Sequence, residues 1–129
     1  MKLFNILNRA ITAPTIVQVP TSATASYEPG VALKLSSGKA VLCAGTSKPE
    51  FVCSEKKDVT GATTLSAYAV DADTLYEVEL AEEGALTVGA KYTLSTNGKT
   101  ITTTTTNGVA EVVSVTGSAI GDKAVIRFN

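Results

Sequence analysis

A chain of 129 residues is the length of one domain, and folding at that size buries roughly two-thirds of the surface the unfolded chain exposes. Eleven basic against twelve acidic side chains leave a formal net charge of −1, without the basic excess that phosphate-backbone binding needs, and no apolar run approaches the ~20 residues of a membrane-spanning helix, so no nucleic acid and no membrane is expected as a partner. There is no histidine, and the apolar 44% is built from Ala and Val with three Phe, four Tyr, one Met and no Trp, so the core should be thin and self-association would help it.

The N-terminal residues differ from everything after them. Met1 to Arg9 open with a positive charge followed by apolar residues, as a signal peptide does, but Asn5, Asn8 and Arg9 interrupt the required apolar block. Leu3, Phe4, Ile6, Leu7 and Ile11 have roughly helical spacing, enough for a turn or two of amphipathic helix before Pro14. Thr15-Ile16-Val17-Gln18-Val19 then has strand composition between Pro14 and Pro20, and Thr21 to Ser26 is a small, polar connector. Residues 1–26 read as an extended N-terminal arm and linker; the alternative is that Thr15 to Val19 is the first edge strand of the domain itself, where proline is tolerated. As an arm, this strand pairs with another chain's sheet edge, with Ile16 on one face and Val17 and Val19 on the other, while Leu3, Phe4, Ile6 and Leu7 bury at the far end. Those seven side chains are the candidate binding residues.

The compact domain, residues 27–129, should begin at Tyr27-Glu28-Pro29-Gly30, where Pro-Gly suits the centre of a type II turn. Strands are expected over Val31 to Leu35 and Lys39 to Ala44, joined by Ser36-Ser37-Gly38, and again from Phe51 to Cys53. Glu55-Lys56-Lys57-Asp58 reads as a solvated turn. Leu65 to Val70 and Leu75 to Leu80 are two more strands, and in the second Glu77 and Glu79 alternate with Tyr76, Val78 and Leu80, so the carboxylates face solvent. Asp71 to Glu83 holds six acidic and no basic residues, which makes one acidic face. From Val88 to Phe128, four β-branched runs are separated by Asn97-Gly98, Asn107-Gly108 and Gly121-Asp122; this is the pattern of an antiparallel meander, with a two-residue primed turn at each Asn-Gly. The Thr102 to Thr106 tract should be extended and lie at an edge or in a projecting hairpin. The class is all-β: a small single β-domain, a barrel- or tulip-like antiparallel meander, preceded by the arm.

Chemistry is poorly supplied. Without histidine neither a Ser-His-Asp nor a Cys-His mechanism can be assembled. Asp71 and Asp73 resemble a hard-cation pair but lack the further oxygen ligands, and a turn between strands explains them. Glu77, Glu79 and Glu82 lack the aromatic-lined cleft of a glycosidase, and no glycine-rich phosphate loop opens a helix. No catalytic, metal or cofactor set is expected. Cys43 and Cys53 read as reduced core thiols; a cross-strand disulfide, implying an oxidising compartment, is the alternative.

Tyr27-Glu28-Pro29-Gly30-Val31-Ala32-Leu33, Gly38-Lys39-Ala40-Val41 and Thr46-Ser47-Lys48-Pro49, with Val88-Gly89-Ala90-Lys91-Tyr92 and Gly121-Asp122-Lys123-Ala124-Val125-Ile126-Arg127-Phe128, resemble the head decoration, or capsid cement, proteins of tailed bacteriophages over about residues 27 to 128. The resemblance implies a structural protein with no catalytic residues, made in the host cytoplasm and carried on the capsid exterior. Its partners would be the major capsid protein and itself, as a homotrimer that stiffens the shell. In that family an N-terminal arm often contacts the capsid, the role residues 1–26 would fill, although this arm is more apolar at its start. The competing reading is a secreted or phage-tail surface module that binds glycan or protein, in which the two cysteines would be bonded.

Overall fold

The computed structural model describes residues 5–8 by their backbone and residues 15–72 and 74–129 in full; among these there is no helix, and the class is all-β. The first sheet runs β2 (Ile16–Pro20), β8 (Thr64–Ala69), β6 (Phe51–Cys53), β4 (Ala32–Ser36) and β5 (Lys39–Leu42), every neighbour antiparallel. Thr21, just past β2, bridges in parallel to Ala40 of β5, so this sheet curls back on itself. A ribbon of β3 (Ala25–Tyr27) and β7 (Lys57–Val59) accompanies it.

The second sheet runs β1 (Asn5–Asn8), β9 (Leu75–Leu80), β13 (Lys123–Phe128), β12 (Ala110–Val115) and β10 (Lys91–Tyr92), while β11 (Thr100–Ile101) lies parallel along the C-terminal half of β9. Leu94, just beyond β10, bridges Ile101 of β11, and Thr102 and Ser95 add backbone bonds to Thr93 and Thr100. The ring β9, β13, β12, β10, β11 thus returns to β9 as a nearly closed barrel. β11 leaves the sequential order of a meander to make that closure.

Side-chain period explains how the sheets share residues. In β9, Tyr76, Val78 and Leu80 are buried and Leu75, Glu77 and Glu79 are half-buried, as the alternation requires. The wall formed by β4, β5 and β6 contributes side chains to a core on each of its faces. Ala32, Cys43 and Val52 turn into the barrel core beside Tyr76, Ile126 and Phe128, whereas Leu33, Ala40 and Cys53 turn into a second core with Val19, Tyr27 and Leu65. The two cysteines therefore sit on opposite faces of one sheet, each buried and free, and the disulfide alternative has no geometry within this chain.

Several expectations change. Residues 15–26 are not an arm and linker: β2 pairs β8 along its whole length, Val19 and Thr21 are buried, and β3 follows before the expected boundary at residue 27. The partner the Thr15 to Val19 strand needed is residues 64 to 68 of its own chain, which close pairing by proximity in sequence does not reveal. Asn5–Asn8 is a strand on β9 rather than a helical turn, and Leu3, Phe4 and Ile11 lie outside the described residues. Lys57 and Asp58, expected in a solvated turn, begin β7 because β3 offers a ladder.

The turns redistribute as well. The two-residue primed geometry occurs at Ser37-Gly38 (φ 51° and 75°), between the paired Ser36 and Lys39. At Asn97-Gly98 only the glycine has positive φ, and at Asn107-Gly108 only the asparagine, so neither pair is a primed turn. Pro29-Gly30 does form the type II turn, with Gly30 at φ 85°. The Thr tract leaves regular strand geometry after Ile101 but keeps two backbone bonds, Thr102 N to Thr93 O and Thr93 N to Thr104 O, each at 3.0 Å; Thr102 Oγ1 meets Thr93 Oγ1 at 2.7 Å and accepts from Thr104 N at 3.0 Å, and Thr104 to Thr106 are exposed. Local hydroxyl bonds of this kind offer the backbone an alternative to a strand.

Candidate functional site

A cleft of about 480 Å³ lies between the outer edges of β5 and β3. Strand alternation supplies its floor: Leu33 and Ala40 face the second core, Val31 enters from the type II turn, and Leu42, next on the same face of β5, is left 47% exposed at the mouth. The strands are held apart by a side chain. Tyr27 stands across the gap with its hydroxyl donating to Ala40 O at 2.7 Å and accepting from Ser22 N at 3.0 Å, which fixes one end of the cleft.

The other end is closed by the hairpin tip at Asn97 to Lys99. Ala32 N donates to Gly98 O at 2.9 Å, and a Cβ on Gly98 would stand 3.0 Å from Cys43 O and 3.2 Å from Leu42 Cδ1. At φ 67° this position favours glycine for its backbone as well. The tip carries Lys99, whose ammonium bonds the Glu28 carboxylate at 2.7 Å across the rim. That bond and the Lys99 charge hold the Glu28 carboxyl below the usual carboxylate range. The cleft is thus an apolar floor with one neutralised ion pair and the hydroxyls of Ser22, Thr24 and Ser26 around it.

The seven sequence-nominated residues do not converge. Ile16 is 58% exposed on the outer face of β2, Val17 packs against the second core and Val19 is part of it. Val17 and Val19 therefore face their own domain, and of the three nominated residues of that strand only Ile16 is left for a partner. Ile6 and Leu7 belong to β1, described by backbone alone, and Leu3 and Phe4 lie outside the described residues. Sequence reading missed the cleft because its walls, β3 and β5, pair with different strands and are bridged by the Tyr27 side chain. The one local signal was β5 itself, where Ala40 and Leu42 on one face and Val41 and Cys43 on the other leave no polar side after Lys39.

The acidic stretch is answered from elsewhere in the chain. Glu77 lies 3.3 Å from Lys123, and Glu82 accepts from both N and Oγ1 of Thr103 at 2.7 and 2.8 Å, bonds that lower its pKa. Asp71 caps its turn by accepting from Thr74 N and Oγ1, each at 2.9 Å, while Asp73 lies outside the described residues. Glu82 and Asp71 thus brace loops, while Glu77 pairs across the β9–β13 ladder.

No protein-family model matches the sequence, and no curated protein matches it. Among solved structures it is similar to the N-terminal base of the head fiber protein gp8.5 of bacteriophage phi29, with a TM-score of 0.57 and 14% identity, over 89% of this chain and 95% of that one. At that identity the likeness is one of fold.

Proposed function

We propose that the protein is a structural component of a bacteriophage virion, carried on the capsid exterior, where it binds the assembled major capsid protein as a homotrimer and stabilises the shell. The observation that carries this reading is the likeness to the phi29 head fiber base across nearly the whole of both chains. The turn and strand pattern shared with head decoration proteins, from Tyr27 to Phe128, points the same way. The secreted alternative loses its disulfide, because Cys43 and Cys53 lie in different cores.

Within this reading the capsid contact falls to the N-terminal segment bearing Leu3, Phe4, Ile6 and Leu7, together with exposed Ile16; Val17 and Val19 are committed to the domain interior. The test is co-sedimentation of the full chain with empty capsids assembled from the accompanying major capsid protein, followed by imaging of the decorated particles. Saturable binding, density at threefold positions and an at least tenfold loss on Ile16→Asp, a change of about 1.4 kcal/mol, are expected. Protein that stays in the supernatant, or that sits singly on capsomer centres, overturns the reading.

A further inference from the structure

We propose that the cleft between β5 and β3 receives an extended segment of another polypeptide, which hydrogen-bonds to the edge of β5 at Leu42 and seats an aliphatic side chain over Val31 and Leu33. The ladder of the β4–β5 hairpin determines which backbone groups are available. Ser36 and Lys39 flank the turn as a bonded rung, and the alternation makes Lys34 with Val41 the next; Cys43 N continues it, donating to Ala32 O at 2.8 Å. Leu33 and Leu35 consequently turn their backbone groups the other way, where Glu50 N meets Leu33 O at 2.9 Å and the Glu50 carboxylate accepts from Leu35 N at 2.6 Å.

By the same alternation Ala40 and Leu42 direct theirs away from β4, Ala40 toward its parallel bridge with Thr21 and Leu42 into the cleft. The Ala40 carbonyl is taken by the hydroxyls of Tyr27 and Ser22. Leu42 N–H and C=O have no partner among the described residues. An unpaired strand edge above an apolar floor is what strand addition requires: main-chain bonds give affinity and alternate side chains fill pockets.

The rim chooses among occupants. Lys99 is engaged by Glu28, and Glu28 is the outer member of the pair, its side chain 54% exposed against 24% for Lys99. The pair is neutral overall and turns its carboxylate outward, so the rim offers a polyanion no free counter-charge and accepts a neutral or basic segment. A glycan finds no stacking platform, since Tyr27 is only 5% exposed. The inference rests on the cleft alone, so it stands or falls separately from capsid binding.

The probe is the acetylated and amidated peptide KVTVTVK, titrated into the full-length protein with backbone-amide NMR detection. Saturable shifts centred on Leu42 and Tyr27 are expected, with none from KSTSTSK and weaker ones from EVTVTVE. Leu42→Pro should weaken binding at least tenfold at an unchanged melting temperature, because an edge position whose N–H points outward accepts proline. A copy of the peptide N-methylated on the edge facing β5 makes the same test without altering the protein. No saturable shift at millimolar peptide, shifts centred away from the cleft, or equal binding by the N-methylated peptide would overturn the proposal.

Discussion

Tyr27 holds a ring in one core and a hydroxyl on another strand. Its side chain is buried with Val19 and Leu65, while the hydroxyl spans to Ala40 O and Ser22 N. Removing that hydroxyl leaves Ser22 N without this acceptor and Ala40 O with the longer Ser22 Oγ contact at 3.3 Å. Tyr27→Phe should therefore cost about 1 to 2 kcal/mol, the range for one net hydrogen bond plus a partly unsatisfied buried group. Urea unfolding should show a lower midpoint at unchanged slope; an unchanged midpoint would mean water replaces the bond. At the same scale, burial pushes both thiols, Cys43 and Cys53, above their usual pKa, which suits packing rather than nucleophilic chemistry.

Between neighbouring segments, glutamate carboxylates accept hydrogen bonds from backbone and side-chain donors. Glu55 accepts from Ser66 N at 2.7 Å, Glu82 from Thr103 N at 2.7 Å, and Glu111 from Arg127 Nε on the neighbouring strand. The pKa values of these three carboxyls and of Glu28 are lowered from an ordinary 4.5, the largest cause in each case being the hydrogen bond it accepts. A lowered folded-state pKa means that, between the folded and unfolded values, the unfolded chain binds more protons, so stability rises with pH there. The stabilisation is complete above about 4.5 and is lost as pH falls through the folded values. Melting temperatures should be level from pH 5.5 to 8 and decline below about pH 4.5; a decline already complete at pH 5.5 would contradict this assignment. Strand identity was legible where the period of two was clean, as in Leu75 to Leu80, and where Pro29-Gly30 dictated a turn. What escaped was long-range pairing. Val19 and Lys57 find their ladders in segments distant in sequence or lacking an apolar signature, and the Thr tract adds hydroxyl bonds to an irregular backbone pairing with Thr93. The cleft escaped for the same reason, being a gap between strands rather than a motif.

On the scale of the whole molecule, β1 and β13 both run antiparallel to β9, one along each of its edges, and are therefore parallel to each other. Tension transmitted through the segment before Asn5 pulls β1 toward Glu77, whereas tension leaving after Phe128 pulls β13 in the opposite sense along the same central strand. The hydrogen bonds lie perpendicular to the strands, so such a load shears both ladders at once rather than opening them one rung at a time. With handles attached before Met1 and after Asn129, single-molecule extension should show one high-force rupture, and pulling across Ser37 and Gly38 to open the β4–β5 hairpin should yield at much lower force; equal forces would contradict it. The strand arrangement around β9 should make the domain resist force applied along β1 and β13 in opposite senses and yield more readily to force across the strands.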